Sequence, residues 1–215
     1  MARPPHRTFH WEDAASELSA LIGAGFELEE KRRWFENESE RLFPPLVFPV
    51  PDDCWTVRDY VAGLPSEPGP QLVLVMQAGA FSLGRFDAGD VQVTKTFKRY
   101  VVRGNGRAQP THLKTRGKSK YGSRLRLQNA KRLLEETNEK IAEWEAEFGP
   151  PEQIYFSGTT RLWADLFSVQ PPPPFEREAP AIKIPLDLRK PTTDVMLRAY
   201  ESLCWGRIEE RDGGS

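Results

Sequence analysis

Between Val91 and Leu134 the chain carries 13 of its 30 Lys/Arg residues and none of its 31 Asp/Glu residues. Outside that stretch 17 basic residues face 31 acidic ones, so a net charge of −1 conceals a strong segregation of charge. At its centre lies Arg103-Gly104-Asn105-Gly106-Arg107-Ala108-Gln109-Pro110, two glycines among cations ending on a neutral amide. Gln109 cannot exchange protons near neutral pH; it can only place a water or hydroxyl and aim its amide dipole at developing charge. Such a group is useful where another molecule supplies most of the site. The surrounding cations suit phosphates, which points to an RNA-directed protein. A run of like charge is more commonly a solvated face or a loose arm, but here a strand pattern precedes it and an amphipathic helix follows.

Other chemistry finds little support. A two-metal nuclease needs an acid on its first strand, and Gln71 to Gln77 has none; that alternative would require Asp87, Asp90 and Asp165 to converge. His112 stands near Gln109 as a conceivable general base, although a lone loop histidine is more often only solvated. Gly104-Asn105-Gly106 lacks the third glycine of a dinucleotide site, no GxxxxGK[ST] occurs, and neither Ser66 nor Ser157 has a nucleophile-elbow context. Cys54 and Cys204 lie far apart and in no CxxC arrangement, the pattern of buried thiols in a reducing compartment. No metal and no cofactor is expected. Without an apolar leader or a run of about 18 apolar residues, the expectation is a cytoplasmic protein with no membrane contact.

The elements that must position the glutamine follow from periodicity. Gln71–Gln77 is a compact apolar strand, Ala80–Phe86 alternates, and Val91–Val102 alternates again, three strands joined by tight turns. Gly122–Phe148 predicts a long helix with Leu127, Ala130, Leu134, Thr137, Ile141, Trp144 and Phe148 on its apolar stripe. A strand over Gln153–Phe156, a helix over Thr160–Phe167, a last strand over Ala181–Leu186 and a helix capped by Thr192 or Thr193 complete the order. The result is an α/β protein, β-β-β-α-β-α-β-α, a mixed sheet flanked by helices, an order shared by ribonuclease-H-like folds. Ahead of it, helices are expected over Phe9–Ile22 and Lys31–Phe43, with Trp11, Trp34, Phe35 and Trp55 packed inward. The expected division is a helical extension over 1–65, a main domain over 66–210 and a frayed tail over 211–215.

Arg99-Tyr100-Val101-Val102-Arg103-Gly104-Asn105-Gly106-Arg107-Ala108-Gln109, a basic segment, and then Tyr121-Gly122-Ser123-Arg124-Leu125-Arg126-Leu127-Gln128-Asn129-Ala130 opening a long helix resemble the catalytic domain of eukaryotic and archaeal peptide release factors. The nearer similarity is to the Vms/ANKZF branch of ribosome-rescue factors, in a compact prokaryotic form. The resemblance spans roughly Pro70 to Ile208 and implies a ribonuclease-H-like domain whose glutamine enters the peptidyl transferase centre of the large ribosomal subunit. It implies Gln109 as the catalytic residue, on a loop whose backbone is set by Gly104, Gly106 and Ala108. Arg103 and Arg107 would offset charge at the tRNA end. Lys114, Arg116, Lys118, Lys120, Arg124 and Arg126 would meet ribosomal RNA phosphates, and Tyr121 would stack on a base. The implied partners are large-subunit RNA and peptidyl-tRNA, engaged by a monomer. The Gly-Gly-Gln of true release factors is Arg107-Ala108-Gln109 here, which removes backbone freedom just before the glutamine. Three outcomes stay open: ester hydrolysis, cleavage near the tRNA 3′ end, or a ribosome-binding or RNA-binding factor that keeps the fold without the chemistry.

Overall fold

A computed structural model describes residues 6–29, 33–100, 118–177, 179–188 and 190–211, with side chains from Arg7 onward and, in the long helix, from Arg124 onward. In chain order the elements are β1 (His6–His10), α1 (Ala14–Ser19), β2 (Glu27–Glu29), β3 (Trp34–Glu36), β4 (Glu40–Phe43), α2 (Val57–Gly63), β5 (Gln71–Gln77), β6 (Ala80–Asp87) and β7 (Asp90–Lys98). There follow α3 (Lys118–Phe148), β8 (Gln153–Ser157), α4 (Thr160–Leu166), β9 (Ala181–Lys183), α5 (Thr193–Leu203) and β10 (Trp205–Glu210). The chain divides into two compact units, Met1–Pro68 with Tyr200–Ser215, and Gly69–Ala199.

The second unit holds the five-stranded sheet β7-β6-β5-β8-β9. Its first three strands form an antiparallel meander, whereas β8 joins β5 in parallel and β9 joins β8 in parallel. Parallel pairs need a crossover, which α3 and α4 supply. β5 is central and covered on both faces, so Leu72 to Met76 are all buried; this is why its sequence is a continuous apolar run and not an alternating one. One face presents Leu72, Leu74, Met76, Phe81 and Leu83 to Leu133, Ile141 and Trp144 of α3 and to Trp163 and Leu166 of α4. On the opposite face Gly84 of β6 lies against Met196 of α5. Asn138 of α3, fully buried, donates to the carbonyls of Leu166 (2.7 Å) and Pro171 (2.9 Å), tying the end of α4 and the start of the proline run to the helix.

The long helix begins at Lys118, earlier than periodicity indicated, and three of its predicted core positions, Leu127, Ala130 and Phe148, are not core. Leu127 is 71% exposed and Phe148 38% exposed, while among the described side chains of the helix burial begins at Leu133. At the other terminus Arg85, buried on β6, donates to the carbonyls of Phe148 and Pro150, both at 3.3 Å. Burial lowers its pKa, opposed by Asp87 and Glu145. A cation is thereby placed where the helix leaves unpaired carbonyls and partial negative charge.

The first unit departs from the expected helical extension. It is built on an antiparallel sheet, β1-β10-β4-β3-β2, with short helices α1 and α2. Phe9, Phe35, Leu42 and Ile208 turn inward, whereas Trp34 and Phe43 meet edge-on at 4.8 Å on the outer face. Residues 34–43, expected to be helical, are a hairpin. Asn37 Oδ1 accepts from the backbone N–H groups of Ser39 (2.9 Å) and Glu40 (2.7 Å), turning the chain where a helix would have to continue. Of the expected inward aromatics, Phe35 is fully buried but Trp55 is 57% exposed.

The C-terminus also differs. Ala181–Lys183 is a strand but not the last: β10 follows α5 and inserts between β1 and β4. Tyr200 onward therefore groups with the N-terminal residues and not with the domain expected over 66–210. Arg211, expected to be frayed, donates from its backbone N–H to the Ser39 carbonyl and from Nη1 to the Asn37 carbonyl, both at 2.7 Å. Residues 212–215 lie outside the described residues.

Candidate functional site

Arg103, Gly104, Gly106, Arg107, Ala108, Gln109, His112, Lys114 and Arg116 lie outside the described residues. Lys118, Lys120 and Tyr121 fall on the first turn of α3, described as backbone only. What the structure brings together is the frame at both ends of that stretch.

The chain leaves β7 through two fixed residues. Arg99 donates its backbone N–H to the Gly79 carbonyl at 2.8 Å. Its guanidinium forks onto the Glu136 carboxylate, Nε to Oε2 at 3.1 Å and Nη2 to Oε1, and this pairing raises the guanidinium pKa. The next carbonyl, of Tyr100, accepts from Asn129 Nδ2 at 2.8 Å. Glu136 and Asn129 are seven residues apart on α3, so they share one helix face two turns apart. From Arg99 to Tyr100 the contacts thus advance toward the N-terminus of α3, where the chain returns at Lys118. Asn129 and Lys118 are separated by about 16 Å along the axis at 1.5 Å per residue. Gln109 stands nine residues from Tyr100 and nine from Lys118, so its reach from either anchor is at most about 30 Å.

The charges on α3 run against its own macrodipole. Residues 118–132 include six Lys/Arg and no acid, at the end where helix N–H groups already create positive potential; residues 133–148 include six Glu and one Lys, at the negative end. The first turn has no acid and the last no base, the reverse of what stabilises a helix. Arg124 is exposed and Arg126 half-buried, with Leu125 (39% exposed) and Leu127 beside them. Lys131 finds a partner in Glu135 at 3.1 Å, where the acids begin. Each misplaced charge costs a few tenths of a kcal/mol. At the C-terminal end Arg85 offsets part of this through the Phe148 and Pro150 carbonyls; at the N-terminal half an anionic partner would do so.

Other sequence candidates are dispersed. Asp87 and Asp90 face each other across the β6–β7 turn, and Asp165 lies on α4 near Arg161 at 4.0 Å. Among the described residues no three His, Cys, Asp or Glu side chains gather as a metal-binding group. His10, between the rings of Trp11 and Trp205, approaches Glu12 at 3.2 Å. Cys54 and Cys204 are free and buried. No helix among the described residues is long and apolar enough to cross a membrane. Sequence reasoning assigned no role to Asn129 or Glu136. Asn129 lies inside the Tyr121–Ala130 segment that opens the helix and Glu136 stands in no motif; only the path of the chain after β7 reveals what the two side chains hold.

Comparison with known proteins agrees with this frame. A search among curated proteins returns no match. Among solved structures, one titled "Vms1 mitochondrial localization core" is similar over 92% of this chain and 84% of its own, with a TM-score of 0.51 at 11% identity, which establishes a shared fold. The model of the Bacteroidetes VLRF1 release factor family matches residues 71–211, from the first strand of the meander through β10 and including the whole Gln109 stretch and both of its anchors. The chain therefore belongs to the bVLRF1 release factor family.

Proposed function

We propose that this protein is a ribosome-rescue factor that frees stalled nascent chains at the peptidyl transferase centre of the large ribosomal subunit, with Gln109 as its catalytic residue. The observation that carries this reading is the family match, which spans Gln109 and both anchors of its segment. The inverted charge pattern of α3 supports an anionic partner at the same end of the domain. The sheet order, an antiparallel meander extended by two parallel strands, supports a ribonuclease-H-like topology. The Arg107-Ala108 pair before the glutamine favours the Vms/ANKZF branch in a compact prokaryotic form.

Two chemistries fit a neutral amide. In ester hydrolysis the Gln109 carbonyl orients a water whose oxygen attacks the peptidyl ester; the carbonyl carbon to O3′ bond breaks and O3′ takes a proton. In tRNA cleavage a ribose 2′-hydroxyl attacks the adjacent phosphorus; the P–O5′ bond breaks, leaving a cyclic phosphate and a 5′-hydroxyl. Arg103 and Arg107 offset charge near the reacting end, while Lys114, Arg116, Lys118, Lys120, Arg124 and Arg126 hold ribosomal RNA phosphates and Tyr121 stacks on a base. The protein acts as a cytoplasmic monomer without metal or cofactor.

Large subunits carrying labelled peptidyl-tRNA, incubated with wild type and with Gln109→Ala, test this. Release by wild type, lost in the variant, is expected, and mapping the tRNA 3′ end selects between the two chemistries. Salt-sensitive binding by both proteins without release by either would leave a ribosome-binding factor that kept the fold, the reading favoured by replacement of the two glycines.

A further inference from the structure

We infer that Asn129 and the Arg99–Glu136 pair are positioning residues: a two-point clamp that sets where, and in which direction, the glutamine-bearing segment departs from the sheet. The inference rests on the proposed release function, but the clamp is built wholly of described residues.

The geometry asks for such a role. Among the described residues β7 is an edge strand, paired by β6 alone. Its last ladder partner is Lys98, opposite Ala80. Beyond it the described backbone keeps one main-chain bond, from Arg99 N–H to the Gly79 carbonyl. An edge strand that ends this way would ordinarily fray. Here two consecutive residues are instead tied to α3 by two unlike contacts. The Arg99 guanidinium engages Glu136 as a bidentate fork, which fixes orientation as well as distance. The Tyr100 contact is made through its main-chain carbonyl at 2.8 Å, so it constrains the peptide plane and leaves the side chain 58% exposed. Two contacts about 10 Å apart along one helix face define a direction, which one contact could not.

A purely structural role accounts for this poorly. The Arg99 and Glu136 side chains are 29% and 35% exposed, so solvent screening limits what even a bidentate pair adds to stability. Asn129 is only partly buried and could be hydrated as readily as it is bonded. α3 is held to the sheet by Leu133, Ile141 and Trp144 whether or not the clamp forms. What the clamp adds is definition at the root of the segment. A glutamine nine residues away, acting by placement alone, loses rate when its root wanders, because an error of about 1 Å at the reacting atoms costs up to roughly 100-fold.

The test uses Asn129→Asp, which keeps the shape but sets oxygen against the Tyr100 carbonyl, and Glu136→Ala, with Arg99→Glu/Glu136→Arg as the reversed pair. Single-turnover release from loaded large subunits is measured over a range of factor concentrations. In parallel, pulsed electron–electron distances are recorded between spin labels at Thr111→Cys and Glu139→Cys. We expect release at saturation to fall 10- to 100-fold in each single variant with the half-saturating concentration unchanged, the distance distribution to broaden, and the reversed pair to recover both. Unfolding midpoints within 2 °C of wild type (about 1 kcal/mol or less) separate this from loss of the fold. A distance distribution unaltered in both single variants overturns the clamp, whatever release does. An altered half-saturation with unaltered saturating rate also overturns it, since the residues would then be binding the ribosome. If the distributions broaden but wild type releases no peptide, the clamp stands and the release function fails.

Discussion

Alanine at Gly84 should expose how tightly α5 is seated on the sheet. A Cβ there would lie 2.4 Å from Met196 Sδ, 2.7 Å from Met196 Cε and 2.7 Å from Phe86 Cε2. Met196 is fully buried and Phe86 2% exposed, so neither has solvent to retreat into. Overpacking of this kind costs about 1–3 kcal/mol. The Met side chain can re-route, but the Phe86 ring must turn within a closed core, so we expect about 2 kcal/mol. For a chain of this size that lowers the melting temperature by about 4–8 °C. Met196→Ala alone should cost about 2–4 kcal/mol through the cavity it leaves. In the double variant the new methyl partly fills that cavity, while the clash with sulfur disappears. The double variant should therefore be more stable than the sum of the singles by about 1–2 kcal/mol, leaving the Phe86 contact as the residue of the Gly84→Ala penalty. Urea and thermal denaturation followed by circular dichroism, with the 69–199 unit reported by Trp144 and Trp163, measure the cycle. Additivity within about 0.5 kcal/mol would refute the packing argument.

Two further outcomes follow from burial. Burial pushes the Cys204 thiol up to about 12 from its ordinary 9.0 and raises the Tyr60 phenol, which donates to the Phe48 carbonyl at 2.6 Å. Above pH 9 the unfolded chain sheds these protons while the fold retains them, so stability present below pH 9 should be lost progressively toward pH 12. The urea midpoint of the first unit, read by tryptophan fluorescence, should fall on going from pH 8 to pH 10.5, and less so in Cys204→Ala; a flat profile in the native sequence would contradict the assignment. Asn138→Ala should cost about 3 kcal/mol, because it opens a cavity and strands the Leu166 and Pro171 carbonyls. Asn138→Asp should cost at least as much, since a buried carboxylate replaces the donor, and a denaturant midpoint equal to that of the native protein would show that the amide bears no structural weight.

Much of the second unit was legible from local pattern. β5, β6 and the turn at Asp87-Ala88-Gly89-Asp90 announce themselves through apolar runs and turn residues, since hairpin neighbours contact one another at short range. α3 was legible as a helix but not in its function as a frame. Periodicity places Leu127 on the same stripe as Ile141, yet only tertiary packing decides that Ile141 is covered. The first unit was misjudged for a related cause. Its strands are three to six residues long; β1 and β4 pair across nearly the whole chain with β10, His10 with Trp205 and Phe43 with Arg207, and even the local β3–β4 hairpin is too short for its signal to outweigh helical spacing. The Asn37-Glu38-Ser39 turn was the available clue.

The sequence by itself determined that this protein separates its charges, that the cationic stretch bears a central glutamine, and that a meander precedes and a long helix follows it. These are properties of composition and of neighbours within a few turns, which backbone periodicity records directly. Tertiary structure alone decided that β10 belongs with the N-terminal strands, that the helix core begins at Leu133, and that Arg99 and Tyr100 are held by Glu136 and Asn129. Each of these is a contact between residues that the chain separates by 29 to nearly 200 positions or a boundary set by tertiary packing. Such facts depend on which surfaces meet once the core has formed, and no local spacing encodes them.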